Sequence, residues 1–188
     1  EEDETDEIDE IESIESENPL KGIYLLWKAA EKGSINAQKR LGFAYNNHLR
    51  EYYEDQVIKW LTPLAEAGDV EAQYILGNCY EISSLQSLST VHAKAVEWYQ
   101  KASTQGNKEA QEYLGFCYMY ERGVAKDYIR AFHLFEKAAQ DDEFGEGRAG
   151  AQMGLGTCYK MGRGVPKDDE KANYWFEKAC KGGIEQAC

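Results

Sequence analysis

The dipeptide Ala-Gln recurs at Ala37, Ala72, Ala110 and Ala151, 35, 38 and 41 residues apart, and Ala187 stands 36 residues further on. Four residues after each of the first four alanines comes Leu41, Leu76, Leu114 or Leu155. Gly42, Gly77, Gly115 and Gly156 follow directly, and Tyr45, Tyr80, Tyr118 and Tyr159 stand three residues later. Alanine, leucine and tyrosine at this spacing share one face of a helix. A glycine inside a helix costs up to about 1 kcal/mol relative to alanine. Its fixed place predicts a spot where another backbone passes too close for a side chain.

A second block repeats in step with the first. Val57-Ile58-Lys59-Trp60-Leu61 aligns with Ala95-Val96-Glu97-Trp98-Tyr99, with Ala131-Phe132-His133-Leu134-Phe135 and with Ala172-Asn173-Tyr174-Trp175-Phe176. Lys101-Ala102, Lys137-Ala138 and Lys178-Ala179 follow, and Gly68, Gly106 and Gly182 or Gly183 end the helices as C-terminal glycines do. The stretch from Ala110 to Ala139 shows the unit whole: one helix, a turn at Gly123-Val124, then a second helix capped by Asp127. A period of this length made of two helices means a helical solenoid.

The pattern Ala-x-x-x-Leu-Gly-x-x-Tyr, then Gly-x-Gly-Val, then Asp-x-x-Lys-Ala, resembles the Sel-one-like repeat family, relatives of the tetratricopeptide repeats. Repeat 151–183 matches best, with Gly162, Gly164-Val165, Asp168 and Lys171-Ala172. Repeat 110–139 has Glu121 where the first glycine belongs and Arg130 where lysine belongs. In 37–68 the Gly-x-Gly-Val turn is missing and Pro63 lies inside the second helix, which should lose a hydrogen bond and kink near Lys59. In 72–106 a polar loop from Ile82 to Thr90 replaces the turn, and an insertion from Asp141 to Gly150 carries three glycines. The resemblance implies an all-α fold: a right-handed α/α superhelical solenoid of about four helix-turn-helix repeats over residues 19–188, with an extra N-terminal acidic helix. Repeats near 37–68, 72–106, 110–139 and 151–183 are flanked by a partial unit at each end, and Ala187-Cys188 reads as the start of another helix.

Residues 1–18 hold eleven of the 34 acids and no base, so the other 23 acids face 21 bases and that remainder is nearly neutral. Two readings of this segment stand. One is a solvated acidic tail. The other is a helix that docks through Ile8, Ile11 and Ile14 and caps the stack. Asn18-Pro19 starts the first ordinary helix, whose apolar stripe is Ile23, Leu26, Trp27 and Ala30, and Gly33 stops it. No basic footprint for nucleic acid is present, and no run of apolar residues is long enough to cross a membrane as a helix. The acidic N-terminus, which does not begin with Met, has no leader pattern and reads as that of a fragment or a processed product.

Cys79, Cys117 and Cys158 share one repeat position, seven after the unit alanine. Stacked equivalents lie about 8–10 Å apart, too far for a disulfide, so they read as buried core thiols. Cys180 and Cys188 stand eight apart, as Cys pairs do in the cysteine-rich secreted members that the family resemblance brings in. One such pair among otherwise unpaired cysteines favours free thiols and a reducing compartment. His48, His92 and His133 lie in different repeats with no ligand at metal spacing, and no nucleophile elbow or phosphate loop appears, so neither a metal nor a cofactor is expected. The expected class is a non-catalytic adaptor or scaffold whose partner is another protein or peptide. The alternatives are an acidic segment that occupies the groove or recruits a basic partner, and, more remotely, a hydrolase-like enzyme.

Helical rotation places the partner-facing side of each first helix opposite its Ala-Leu-Tyr stripe. Reading those positions gives Lys39, Phe43 and Asn46; Tyr74, Asn78 and Glu81; Glu112, Phe116 and Met119; Met153, Thr157 and Lys160. The aromatics and methionines among them suit an interface, and the expected occupant is an extended or helical peptide anchored near Tyr74 and Phe116. Packing against adjacent hairpins would account for some of them equally well.

Overall fold

The computed structural model describes residues 19–44, 50–82, 88–140 and 147–188. The predicted acidic helix over 7–16 and its isoleucines lie outside them, as does Asn46. Among the described residues there are nine α-helices: α1 Pro19–Glu31, α2 Ile35–Ala44, α3 Arg50–Glu66, α4 Val70–Ile82, α5 Leu88–Thr104, α6 Lys108–Tyr120, α7 Tyr128–Ala138, α8 Ala149–Met161 and α9 Asp169–Lys181, then a 3-10 turn at Glu185–Ala187. They fall into an N-terminal unit, Glu1–Ser83, and a C-terminal unit, Ser84–Cys188.

Within each unit every helix packs on the next, and the first helices of successive repeats also touch, α2 with α4 and α6 with α8. That is the packing of a solenoid, in which each repeat buries its apolar face on its neighbours. In the N-terminal unit Leu26, Ala29 and Ala30 of α1 and Ala37 and Leu41 of α2 form one buried cluster, with Trp27 of α1 and Trp60 of α3 packed against it, their ring centroids 4.7 Å apart. In the C-terminal unit Tyr99, Leu114, Met119, Phe135 and Leu155 are buried.

The repeat signature has a local cause at nearly every position. The residue three before each of the first three unit alanines caps the first helix: Ser34 Oγ accepts from Ala37 N, Asp69 Oδ1 from Ala72 N and Asn107 Oδ1 from Ala110 N, at 3.3, 2.8 and 2.7 Å. The glutamine after the alanine reaches back to the end of the preceding helix. Gln38 Nε2 donates to Ala30 O, Gln73 to Ala65 O and Gln111 to Ser103 O, at 3.1, 2.9 and 3.3 Å. Each of these carbonyls also accepts from the glycine amide of its turn, Gly33, Gly68 or Gly106, so the glutamine fills its second lone pair. The tyrosine ring receives the cation of the second helix: Arg130 lies 5.6 Å over Tyr118 and Lys171 lies 5.3 Å over Tyr159. Arg130 thus does the work of the expected lysine.

Several expectations need correction. The repeat glycine makes room for a side chain, not a backbone. A Cβ on Gly42 would meet Ile75 at 2.6 Å and Leu61 at 3.0 Å, one on Gly115 would meet the Phe135 ring at 2.6 Å, and one on Gly156 the Phe176 ring at 2.5 Å. Pro63 does lie inside α3, as expected. Residues 88–90 of the supposed polar loop belong to α5, and 149–150 of the insertion to α8. Cys180 and Cys188 are not free: they form a disulfide with their Cα atoms 5.1 Å apart, tying the end of α9 to the 3-10 turn. The expected further helix is that short turn. Cys79, Cys117 and Cys158 are buried thiols, and burial pushes the Cys158 thiol up to about 12.

Candidate functional site

The candidate surface is the open side of the first helices, taken unit by unit. In the N-terminal unit it lies on α2 and α4. Lys39 Nζ is held by Asp69 Oδ2 at 2.7 Å and Glu71 Oε2 at 3.0 Å. Burial alone would lower the Lys39 ammonium, but its hydrogen bonds and charge contacts to those two carboxylates raise it above its ordinary value. Burial would likewise raise the Asp69 carboxyl, yet the Ala72 amide and Lys39 hold it below its ordinary value. Phe43 is 39% exposed and its ring stands 6.3 Å from that of half-buried Tyr74. Glu81 is half-buried, whereas Asn78 is buried at 7% exposure.

In the C-terminal unit the surface lies on α6 and α8. Glu112, 8% exposed, accepts from Arg148 Nε at 3.0 Å, and Glu109 accepts from Arg148 Nη1 at 3.2 Å. Phe116 is half-buried: one side of its ring meets Phe135 at 4.9 Å and the other stacks on Tyr120 at 6.1 Å. Met153 and Thr157 are half-buried, and Thr157 Oγ1 donates to Met153 O at 3.0 Å. Lys160 is exposed and pairs with Asp169 at 3.0 Å. Met119 is 1% exposed and belongs to the packing.

The open side is therefore rotated from the one the sequence suggested. Tyr120 is 54% exposed and Met161 is 63% exposed, and the two occupy one repeat position, ten after the unit alanine. Sequence reasoning placed the buried sector by its apolar residues alone. Gln111 and Gly115 are buried too, one by its hydrogen bond and one by the Phe135 ring, and they widen that sector. The signal that could have found Tyr120 is the recurrence of Ala-Gln itself, since a glutamine fixed beside a core alanine marks a buried partner. Among the described residues no group of His, Cys, Asp and Glu is placed to hold a metal ion, and no helix is long and apolar enough to cross a membrane.

The Sel1 repeat family matches residues 13–34, 70–107, 108–142 and 149–184. The last three segments coincide with the helix pairs α4–α5, α6–α7 and α8–α9. The chain is similar in structure to a protective antigen of uropathogenic Escherichia coli strains displaying an SLR fold, at 35% identity and a TM-score of 0.74, over 90% of this chain and 35% of that one. It thus spans about a third of that antigen's length. It is also similar to a Sel1 repeat protein from Oxalobacter formigenes, at 32% identity and a TM-score of 0.58, over 70% of this chain and 95% of that one. Helicobacter pylori cysteine rich protein B shares the fold at 24% identity and a TM-score of 0.51, over 72% of this chain and 92% of that one. No curated protein matches the chain. With its family signature on three consecutive helix pairs and this fold, the chain belongs to the Sel1 repeat family.

Proposed function

We propose that the chain is a non-catalytic adaptor, and that a partner segment binds the open side of α6 and α8 through Phe116, Tyr120, Met153 and Met161. Sel1-repeat proteins are generally protein-interaction modules. The observation that carries the finer reading is the pair Tyr120 and Met161, large apolar residues left exposed at one repeat position of adjacent first helices. A solvated surface gains nothing from them there, whereas an aromatic and a flexible thioether suit an interface. Thr157 and Lys160 would supply polar contacts at its edge, and Lys39, Phe43 and Tyr74 would form a separate, smaller surface on the N-terminal unit.

Peptides selected from a random library against the intact chain test this. Their affinity for the Phe116→Ala/Tyr120→Ala variant should fall by roughly tenfold or more, because central aromatics are the usual hot spots. His133→Ala, on the exposed side of α7, should leave it unchanged. Equal losses in both variants, or none in the first, would remove the site from α6 and α8.

A further inference from the structure

The turns that join successive repeats of the C-terminal unit, at 106–109, 147–150 and 182–184, open onto one cleft of about 1230 Å³. Among the described residues four bases line it, Lys108, Arg148, Lys178 and Lys181, against two acids, Glu109 and Glu112. That balance is the reverse of the chain as a whole, which carries 34 acids and 21 bases. Both acids are turned onto Arg148, at 3.2 and 3.0 Å, so one of their two charges is countered there and three lysines face the other. The remaining lysines stand at its two ends, Lys108 at the start of α6 and Lys178 and Lys181 in the last turn of α9.

The floor of this cleft is largely backbone. A Cβ on Gly106 or Gly183 would find nothing within 4 Å, and both glycines have positive φ, 91° and 94°. Their amides are already used, Gly106 N–H donating to Ser103 O at 3.1 Å and Gly183 N–H to Cys180 O at 3.0 Å, so what these turns leave is room for a chain to lie alongside. Helix α8 begins in the cleft without a side-chain cap from Arg148, and the Glu112 carboxylate already lies over its first turn, so the cationic balance rests on the lysines. From the volume, the charge and the unobstructed glycine turns together, we propose that this cleft binds an extended, carboxylate-rich peptide segment. The site is distinct from the open side of α6 and α8 and stands or falls independently of it.

Lysines in a last helical turn also serve their own helix end, so the experiment must separate that role from binding. Isotope-labelled intact chain is titrated at low salt with a short peptide of alternating Glu and Gly, and in parallel with its Lys-Gly counterpart. The Glu peptide should shift the Gly106 and Gly183 amide signals saturably, and the Lys peptide should not. Lys181→Glu should weaken the Glu peptide by roughly tenfold or more, as reversal of a contacting charge does, with the helical circular dichroism unchanged. Lys178→Glu, read the same way, guards against one variant being misfolded. Phe116→Ala/Tyr120→Ala should bind the Glu peptide as the parent does, which keeps this site separate from the other. Absence of the glycine shifts, undiminished binding in both lysine variants, or equal shifts and affinity with inorganic phosphate alone would overturn the proposal, the last by reducing the cleft to a small-anion site.

Discussion

The junction between α2 and α4 in the N-terminal unit and that between α6 and α8 in the C-terminal unit occupy the same place in the repeat. They solve one problem with opposite charges. Lys39 and Glu112 each stand two residues after a unit alanine, and Asp69 and Arg148 each stand three before the next. In the first junction Asp69 caps its own helix and Lys39 neutralises it from α2. In the second, Arg148 holds the cap position and makes no side-chain cap. The carboxylate comes instead from Glu112 on α6, lying so close over the start of α8 that a Cβ on Gly150 would collide with it. Either way a negative charge sits at the start of a helix, where the dipole favours it, and a cation balances it. What the repeat preserves is a charge at a place, not a residue. The hydrophobic filling differs as well. Gly42 of the first junction meets the aliphatic Leu61 and Ile75, while Gly115 and Gly154 of the second clasp the two sides of the Phe135 ring.

The largest expected effect removes that ring. Phe135→Ala should destabilise the protein by about 3–5 kcal/mol, because the two glycines against the ring carry no side chain to collapse into the gap. Leu61→Ala should cost about 2–5 kcal/mol by the same reasoning. Denaturant midpoints of the two variants check this, and a Phe135→Ala midpoint near that of the parent would mean the ring is not the wedge. Next comes the charge pair of the second junction. Arg148→Ala leaves the nearly buried Glu112 without its partner and should cost roughly 1–3 kcal/mol, because a charge stranded out of water is expensive while Arg148 itself is partly exposed. The sharper experiment is the exchange: Glu112→Lys with Arg148→Asp rebuilds the arrangement of the first junction. That double variant should be more stable than either single change. Additive losses would show that the two junctions are not equivalent.

The sequence carried the helices and their order because the repeat states them four times. Ala110, Leu114 and Tyr118 announce a helical face by spacing alone, and Asp127 announces the start of the next helix by residue type. The open side of that helix was harder to read, since its limits are set by Gln111 and Gly115. Neither residue looks apolar, and each is buried for a reason that lies on another helix: the Ser103 carbonyl for one, the Phe135 ring for the other. Met119 was therefore placed outside and Tyr120 overlooked. The Cys180–Cys188 bridge was suggested only by the spacing of a related group, because nothing local in the two residues distinguishes a thiol from half a disulfide. The cleft between the repeat turns could not be read at all, as its walls come from segments some forty residues apart in the chain.

The first junction should prove the weaker of the two, and its contribution should follow pH. Asp69 and Glu71, with 31% and 52% of their side chains exposed against 11% for Glu112, stay within reach of water when Lys39 is lost, and Asp69 keeps its Ala72 amide. Lys39→Ala should therefore cost less than about 1 kcal/mol, in the range of an exposed ion pair. The Asp69 carboxyl is held below its ordinary value of 3.8 in the folded protein. A depressed folded value means the unfolded chain takes up the proton first as the solution is acidified. The stabilisation from Asp69 is thus complete above the unfolded value and is lost as pH falls through the folded one. Lys39 is raised in the folded state, so its share is complete below its unfolded value of 10.5 and fades only as the solution is made more alkaline than that. Between those limits the junction should be insensitive to pH. Stability of parent and Lys39→Ala, followed by urea melts from neutral pH down into the acid range, should therefore differ by a constant amount at first. The two curves should converge only where Asp69 becomes protonated, and a gap that closed well above that range would assign the effect to some other group.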